Sequence, residues 1–305
     1  MKYAGVEQLP YEEQQKNIKI AQEKGNYNCE IQEPDWRLMQ RVDENFQYKR
    51  KGFLKAVQSA LVRFVFFIGA KPGCWFLIGS KFSGRKNLRG VKNAVFVCNH
   101  VHNLDNEMAR WMCWGHKLYI VVAEFNNMNT WLGEVMRVGG IFPLSPNFTA
   151  MKKFTAAVND VLHSRRGSVL FFPEKSMWPF FEQPRPFMDG AFHAAALNNV
   201  PVVPLFIVWR EPSGLEKLLF KRKRAEMRAL KPIYPKPELS RKENIAYLRD
   251  EAFREQCECY KEFYGREPDT INAKFTLEEI FQKGYDAYLE EQAAKNKGRD
   301  NVNKA

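Results

Sequence analysis

The stretch Val95-Phe96-Val97-Cys98-Asn99-His100-Val101-His102-Asn103-Leu104-Asp105 holds residue types from which proton-transfer chemistry is built. Its apolar, β-branched start predicts a buried strand that stops at Asn99-His100. Asn103 and Asp105 are helix-starting residues, and Met108, Trp111 and Met112 follow at helical spacing. His100 is therefore expected at the carboxyl end of a strand, where α/β sheets open their ligand crevices. Asp105 falls in the first turn of the next helix, close enough to fold back onto the ring. A carboxylate that accepts from one imidazole nitrogen fixes the tautomer and makes the other nitrogen a better base. The same residues allow a second reading, in which His100, His102 and Asp105 hold the metal of a hydrolase. The other histidines, His116, His163 and His193, have no ligand-type neighbour at useful spacing.

Alternating strand and helix signals surround this centre and predict an α/β fold: a central mixed sheet flanked by helices. Strands are expected at 94–98, 118–123, 140–144, 168–172 and 202–208, and helices at 105–114, 130–138, 146–165 and 187–198. Ser145 and Pro146 look like the cap and first turn of the third helix. The run Val200-Pro201-Val202-Val203-Pro204 reads as a proline-flanked, edge-like strand. Ser240 with Glu243, and Thr276 with Glu279, have the spacing of capping boxes that open two further helices.

Residues 1–51 form a polar lead-in with Trp36, Leu38, Val42 and Phe46 as sparse anchors. From 52 to 84 the chain turns apolar and aromatic, yet Lys55, Arg63, Lys71 and Lys81 interrupt it. No charge-free window approaches the roughly 18–20 residues of a spanning helix. Gly69 and Pro72-Gly73 are expected to divide the run into two short helices lying in one leaflet, an N-terminal membrane-docking element. The alternative is a pair of core helices. Residues 85–264 form the main domain, and 265–305 a C-terminal helix with a polar tail.

The formal net charge of +12 over 305 residues favours an anionic partner. The run Lys221-Arg222-Lys223-Arg224 reads as a solvated loop that touches anionic lipid headgroups, and no nucleic-acid-binding motif accompanies it. The six cysteines lack a C-x-x-C pair, and the first residues lack a signal peptide's apolar core. Both point to a reducing, cytoplasmic setting.

Three more blocks join the first. Gly139-Gly140-Ile141-Phe142 is a glycine turn into a strand, Phe172-Pro173-Glu174 is a strand ending in an acid, and Val200-Pro201 with Pro204 is the third. With Asn99, His100 and Asp105 they stand in the order of four motifs of the glycerophospholipid acyltransferases, typified by the 1-acylglycerol-3-phosphate acyltransferases. The sequence resembles that family over roughly residues 60–208.

The resemblance implies a membrane-associated O-acyltransferase on the cytoplasmic face, peripheral or monotopic. Its donor is a thioester, acyl-CoA or acyl carrier protein, and it needs no cofactor or metal. His100, steadied by Asp105, is the implied base toward a lysophospholipid hydroxyl. Asn99, Gly139, Gly140, Phe142, Glu174, Lys175, Pro201 and Pro204 are the implied substrate-binding residues. Backbone amides near Gly139 and Gly140 would stabilise the oxyanion, and Glu174 would orient the acceptor. Two departures stand out. Ser145 occupies the place of one phosphate-gripping arginine, and Lys175-Ser176-Met177 replaces Gly-Thr-Arg. Lys175, Lys152, Arg137 or Arg185 is left to supply the cation, or the acceptor's headgroup is not a phosphate. A catalytically inactive lipid-binding protein is the remaining reading.

Overall fold

The computed structural model describes residues 2–3, 6–7, 9–34, 38–48, 52–214, 216–220 and 222–281. Trp36 lies outside them. A two-stranded antiparallel pair, β1 (Lys2–Tyr3) and β2 (Val6–Glu7), precedes helix α1 (Tyr11–Glu23). The following irregular segment is tied down by Asn28, whose Nδ2 donates to the carbonyls of Glu174 and Pro186.

The apolar run forms one helix, α2 (Phe53–Ile78), rather than two, with Pro72 inside it. Proline removes a helical hydrogen bond and bends a helix. Here Ala70, Cys74 and Ile78 bury one stripe on both sides of the proline, and that packing carries the helix through it. Phe53, Leu54, Val57, Leu61, Phe64, Val65, Ile68, Trp75, Phe76 and Leu77 point outward and stay exposed. By length and composition alone this helix is also sufficient to cross a membrane.

Seven strands form the main sheet: β3 (Lys81–Ser83), β4 (Ala94–Cys98), β5 (Lys117–Val122), β6 (Ile141–Pro143), β7 (Gly167–Phe171), β8 (Val202–Arg210) and β9 (Arg224–Ala229). Their order is β3-β9-β8-β4-β7-β5-β6. Only the β8–β9 pair is antiparallel. β4 is buried at every position, which its unbroken apolar sequence requires of a strand covered on both faces. β8 is an interior strand, contrary to the edge expected from its prolines. Pro204 needs no partner for its missing N–H, because β9 has left the ladder there and only the Pro204 carbonyl is engaged, by Leu230.

Helices α3 (Asp105–Met112) and α4 (Trp131–Gly139) lie with α2 on one face of the sheet. Helices α5 (Phe148–Leu162), α6 (Gly190–Asn198) and α8 (Arg241–Tyr264) cover the other, and α7 (Glu216–Leu219) is a single turn. Asn147, not Ser145, caps α5 by accepting from Ala150 N–H, because the Ser145 hydroxyl donates instead to the Val42 carbonyl. The Ser240–Glu243 capping box opens α8 as expected. Residues 276–281 are not helical: Glu279 is drawn away to Lys175 and to the Glu30 N–H. The rest of that expected helix lies outside the described residues. Strand β9 runs through the end of the cation run, and Arg224 is buried over the Phe220 ring at 3.3 Å rather than solvated.

Gly139 and Gly140 join α4 to β6 directly beneath α2. A Cβ on Gly139 would run into the Phe66 ring. One on Gly140, whose φ is +96°, would run into the Arg63 guanidinium. That guanidinium donates to the Leu118 carbonyl at 2.6 Å and covers the Tyr119 ring at 4.0 Å. The glycine pair is thus the seat that lets α2 lie close to the sheet. Gly140→Ala is expected to cost about 1–3 kcal/mol in urea denaturation, from the strained φ and the displaced arginine.

Candidate functional site

The loop from Asn99 to Asp105 is wound around one oxygen. Asp105 Oδ2 accepts from the Val101 N–H (2.7 Å), the His102 N–H (2.9 Å) and His100 Nδ1 (3.0 Å). An ionised carboxylate only accepts, so Nδ1 carries the proton and Nε2 is left with its lone pair. The His100 ring stacks on Phe172, centroids 4.1 Å apart, and keeps its edge partly open while Asp105 is fully buried. Asn99 clamps β4 to β8: its side chain exchanges two hydrogen bonds with the backbone of Ile207. His102 takes a different part. Its Nδ1 accepts from the Leu104 N–H, and its ring packs against Phe180 and Trp209. Burial depresses its pKa, which keeps the ring neutral.

A second buried carboxylate fixes His100 through its backbone. Glu174 Oε2 accepts from the His100 N–H at 3.1 Å and from Arg185 Nε and Nη2 at 3.1 and 2.8 Å. Oε1 accepts from the Arg185 N–H. Both side chains of this pair are fully buried. Arg185 also donates to the carbonyls of Tyr27 and Ser176, so it has no capacity left for a ligand. Lys175 sits at φ +74°, a conformation glycine adopts without strain.

His100 opens into a cavity of about 790 Å³ that wraps around the carboxyl edge of β5 and β7. On the α2 face it is lined by Phe66, Arg110, Ile120, Met136 and Ile141. On the other face Val121, Phe154, Val158, Phe171 and Ala191 line it. Of the residues expected to bind substrate, only Lys175 shares this lining with His100. Asn99, Gly139, Gly140, Phe142, Glu174, Pro201 and Pro204 do not.

The glycine pair cannot supply an oxyanion hole at His100. The Gly140 carbonyl accepts from Ile120, which lies level with Phe96 through Leu170. That position is three strands across from β4 and four residues short of His100, roughly 14 Å and 13 Å respectively. The Gly140 N–H is also committed, to the Arg137 carbonyl. Pro201 leads into β8 beside Val95, at the amino end of β4, and Pro204 lies level with Val97, three residues before His100; neither lines the cavity.

Near Lys175 the cavity holds two acids. Lys175 pairs with Glu279 Oε1, while Glu279 Oε2 accepts from the Glu30 N–H at 2.7 Å. Burial, then repulsion from Glu279, pushes Glu30 up from its ordinary value to about 8. A raised folded pKa stabilises below the unfolded value and loses that stabilisation as pH rises through the folded one. Stability is therefore expected to decline between about pH 4.5 and 8, and Glu30→Gln to flatten the decline in urea midpoints. For the buried pair, Glu174→Gln or Arg185→Met is expected to cost about 3–5 kcal/mol, because each leaves an unanswered charge or donor. The double variant should cost less than the two together in the same denaturation series.

Residues 79–208 match the family model described as Acyltransferase. No curated protein matches the chain. Among solved structures, the 1-acyl-sn-glycerophosphate (LPA) acyltransferase PlsC from Thermotoga maritima is similar at 16% identity and a TM-score of 0.49, over 71% of this chain and 85% of that one. The matched segment contains β4, the His100–Asp105 loop and the Glu174 turn, so the acyltransferase likeness falls on the part of the chain that holds the site.

Proposed function

We propose that the protein transfers a fatty acyl group from a thioester donor to the hydroxyl of a lysophospholipid or related glycerolipid, with His100 as general base. The observation that carries this reading is the 3.0 Å bond from His100 Nδ1 to a fully buried Asp105, with the ring facing a large, mostly apolar cavity. Nε2 takes the hydroxyl proton as the oxygen attacks the thioester carbonyl. The tetrahedral adduct then expels the thiolate, which recovers the proton from the imidazolium. The thioester is already activated, so this route asks the protein for a base, alignment and an apolar channel. Acyl-CoA or acyl carrier protein suits it as donor.

Helix α2 supports membrane association in the plane of one leaflet. Ser59, Arg63, Phe66, Phe67, Ala70, Cys74 and Ile78 turn one face to the domain along its whole length. Ser59 and Arg63 reach the Val138 and Leu118 carbonyls, and Phe67 stacks on Trp111 at 4.9 Å. The opposite face is aromatic and aliphatic, as an interfacial helix requires. The +12 charge suits an anionic cytoplasmic leaflet.

The metal-hydrolase reading loses its second ligand, because His102 is turned into the aromatic cluster. Among the described residues no three His, Cys, Asp or Glu side chains gather as a ligand set. The deciding measurement is transfer of a labelled acyl group in vesicles. His100→Ala is expected to lower turnover roughly 10²–10⁴-fold, with Asp105→Asn close behind, while vesicle binding persists. Equal turnover by wild type and His100→Ala would remove His100 from the chemistry. Lipid binding without transfer to any glycerolipid by the wild type would favour the inactive lipid-binding reading.

A further inference from the structure

The cavity lining holds two permanent cations, Arg110 and Lys175. Lys175 is engaged by Glu279. The other cations expected to serve are occupied or elsewhere. Arg185 is consumed by Glu174 and backbone carbonyls, and Arg137 bonds Glu134, Asn127 and the Met128 carbonyl. Lys152 covers the Phe148 ring and takes no part in the lining.

Arg110 is in a different condition. Its side chain is only 8% exposed, its ion-pair partner is Glu107, and its Nε is buried without a well-formed hydrogen bond. Glu107 Oε1 lies 3.5 Å from that Nε, beyond a good hydrogen bond. The Asn106 Oδ1 one turn earlier is also buried and unpartnered. Polar atoms removed from water are answered somewhere in a native structure, and here both belong to residues that line the cavity. Arg110 stands five residues after Asp105, about 7.5 Å along the helix axis, and helical side chains lean back toward the N-terminus. Arg110 and His100 line the same cavity, with the guanidinium on the α2 side, 5.3 Å from the Phe66 ring.

We infer that Arg110 grips the phosphate ester of the acceptor, in the cavity into which His100 opens. This rests on the acyl-transfer reading above. A guanidinium fork matches phosphate oxygens, and a dry site strengthens the contact. Burial raises the pKa of Glu107, while the neighbouring Arg110 works to lower it. The spacing favours the acceptor over the donor: a glycerol phosphate carries hydroxyl and phosphate within a few bonds, whereas a pantetheine arm separates phosphate from thioester.

The test uses the full chain in vesicles with labelled acyl-CoA, and two acceptors that differ by a phosphate, lysophosphatidate and monoacylglycerol. Arg110→Met is expected to raise the KM for lysophosphatidate roughly 10- to 100-fold, the worth of one charge-assisted contact. The KM values for monoacylglycerol and acyl-CoA should stay unchanged. Arg110→Lys should recover part of the loss, because it keeps the charge without the fork. Parallel losses on both acceptors, or a rise in the acyl-CoA KM alone, would overturn the assignment. Calorimetric binding of sn-glycerol 3-phosphate, with thermal midpoints as a folding control, gives a readout independent of turnover. Binding that needs Arg110 without acyl transfer would sink the proposed activity and spare the site. Transfer with no preference for the phosphate-bearing acceptor would do the reverse.

Discussion

A carboxylate taken out of water draws donors onto itself, and that constraint organises the carboxyl end of the sheet. Asp105 draws two backbone amides and one imidazole onto Oδ2 alone, leaving Oδ1 buried without a partner among the described residues, and this gathers residues 100–105 into a tight turn. Glu174 draws in the His100 N–H and a buried arginine. The first carboxylate sets the tautomer and direction of the ring, and the second sets the backbone from which the ring hangs. His100 is consequently fixed at both ring and backbone by the protein's own groups, the preorganisation that the proposed proton transfer would use.

The sheet explains why these parts meet. β4 lies between β7 and β8, so the turns after β4 and β7 emerge side by side at one edge. The His100 loop follows one and the Glu174 turn follows the other. β5 and β6 end close by and carry the cavity around to both faces. On one of those faces the Gly139-Gly140 seat admits α2, and Phe66 on α2 becomes part of the cavity wall. The helix with the most exposed apolar surface is therefore also a wall of the chamber into which His100 opens.

Much of this was legible in residue order. Five strands, the flanking helices and the His100–Asp105 contact follow from apolar runs that end at polar, helix-starting residues. What escaped were features decided by distant partners. The proline in α2 looks like a break until the buried stripe on either side is known. β9 hides behind the charges of Arg224, Glu226 and Arg228, although its alternating burial has the period of a strand. Asn99, Glu174 and the glycine pair look like substrate contacts in a motif, yet their polar atoms or missing side chains serve the backbone of β8, the His100 turn and the seat of α2. Arg110 was invisible as a candidate because a charged residue on a helix ordinarily faces water, and only the packing of α2 over α3 shows that this one does not.

The substitutions in the third block have a coherent physical sense. At position 175 the backbone takes a left-handed turn whatever side chain is present, and Lys175 accepts that strain while its ammonium is held by Glu279. The acid before it keeps its carboxylate buried by taking Arg185 from a loop eleven residues on. With the block thus spent on holding His100, the phosphate of the proposed acceptor would need a cation elsewhere in the same chamber. The helix that begins at Asp105 carries one within two turns, Arg110, which lines that chamber. In the proposed reaction a single short helix would supply both the group that steadies the imidazole and the cation for the phosphate, so that one rigid element sets the distance between them.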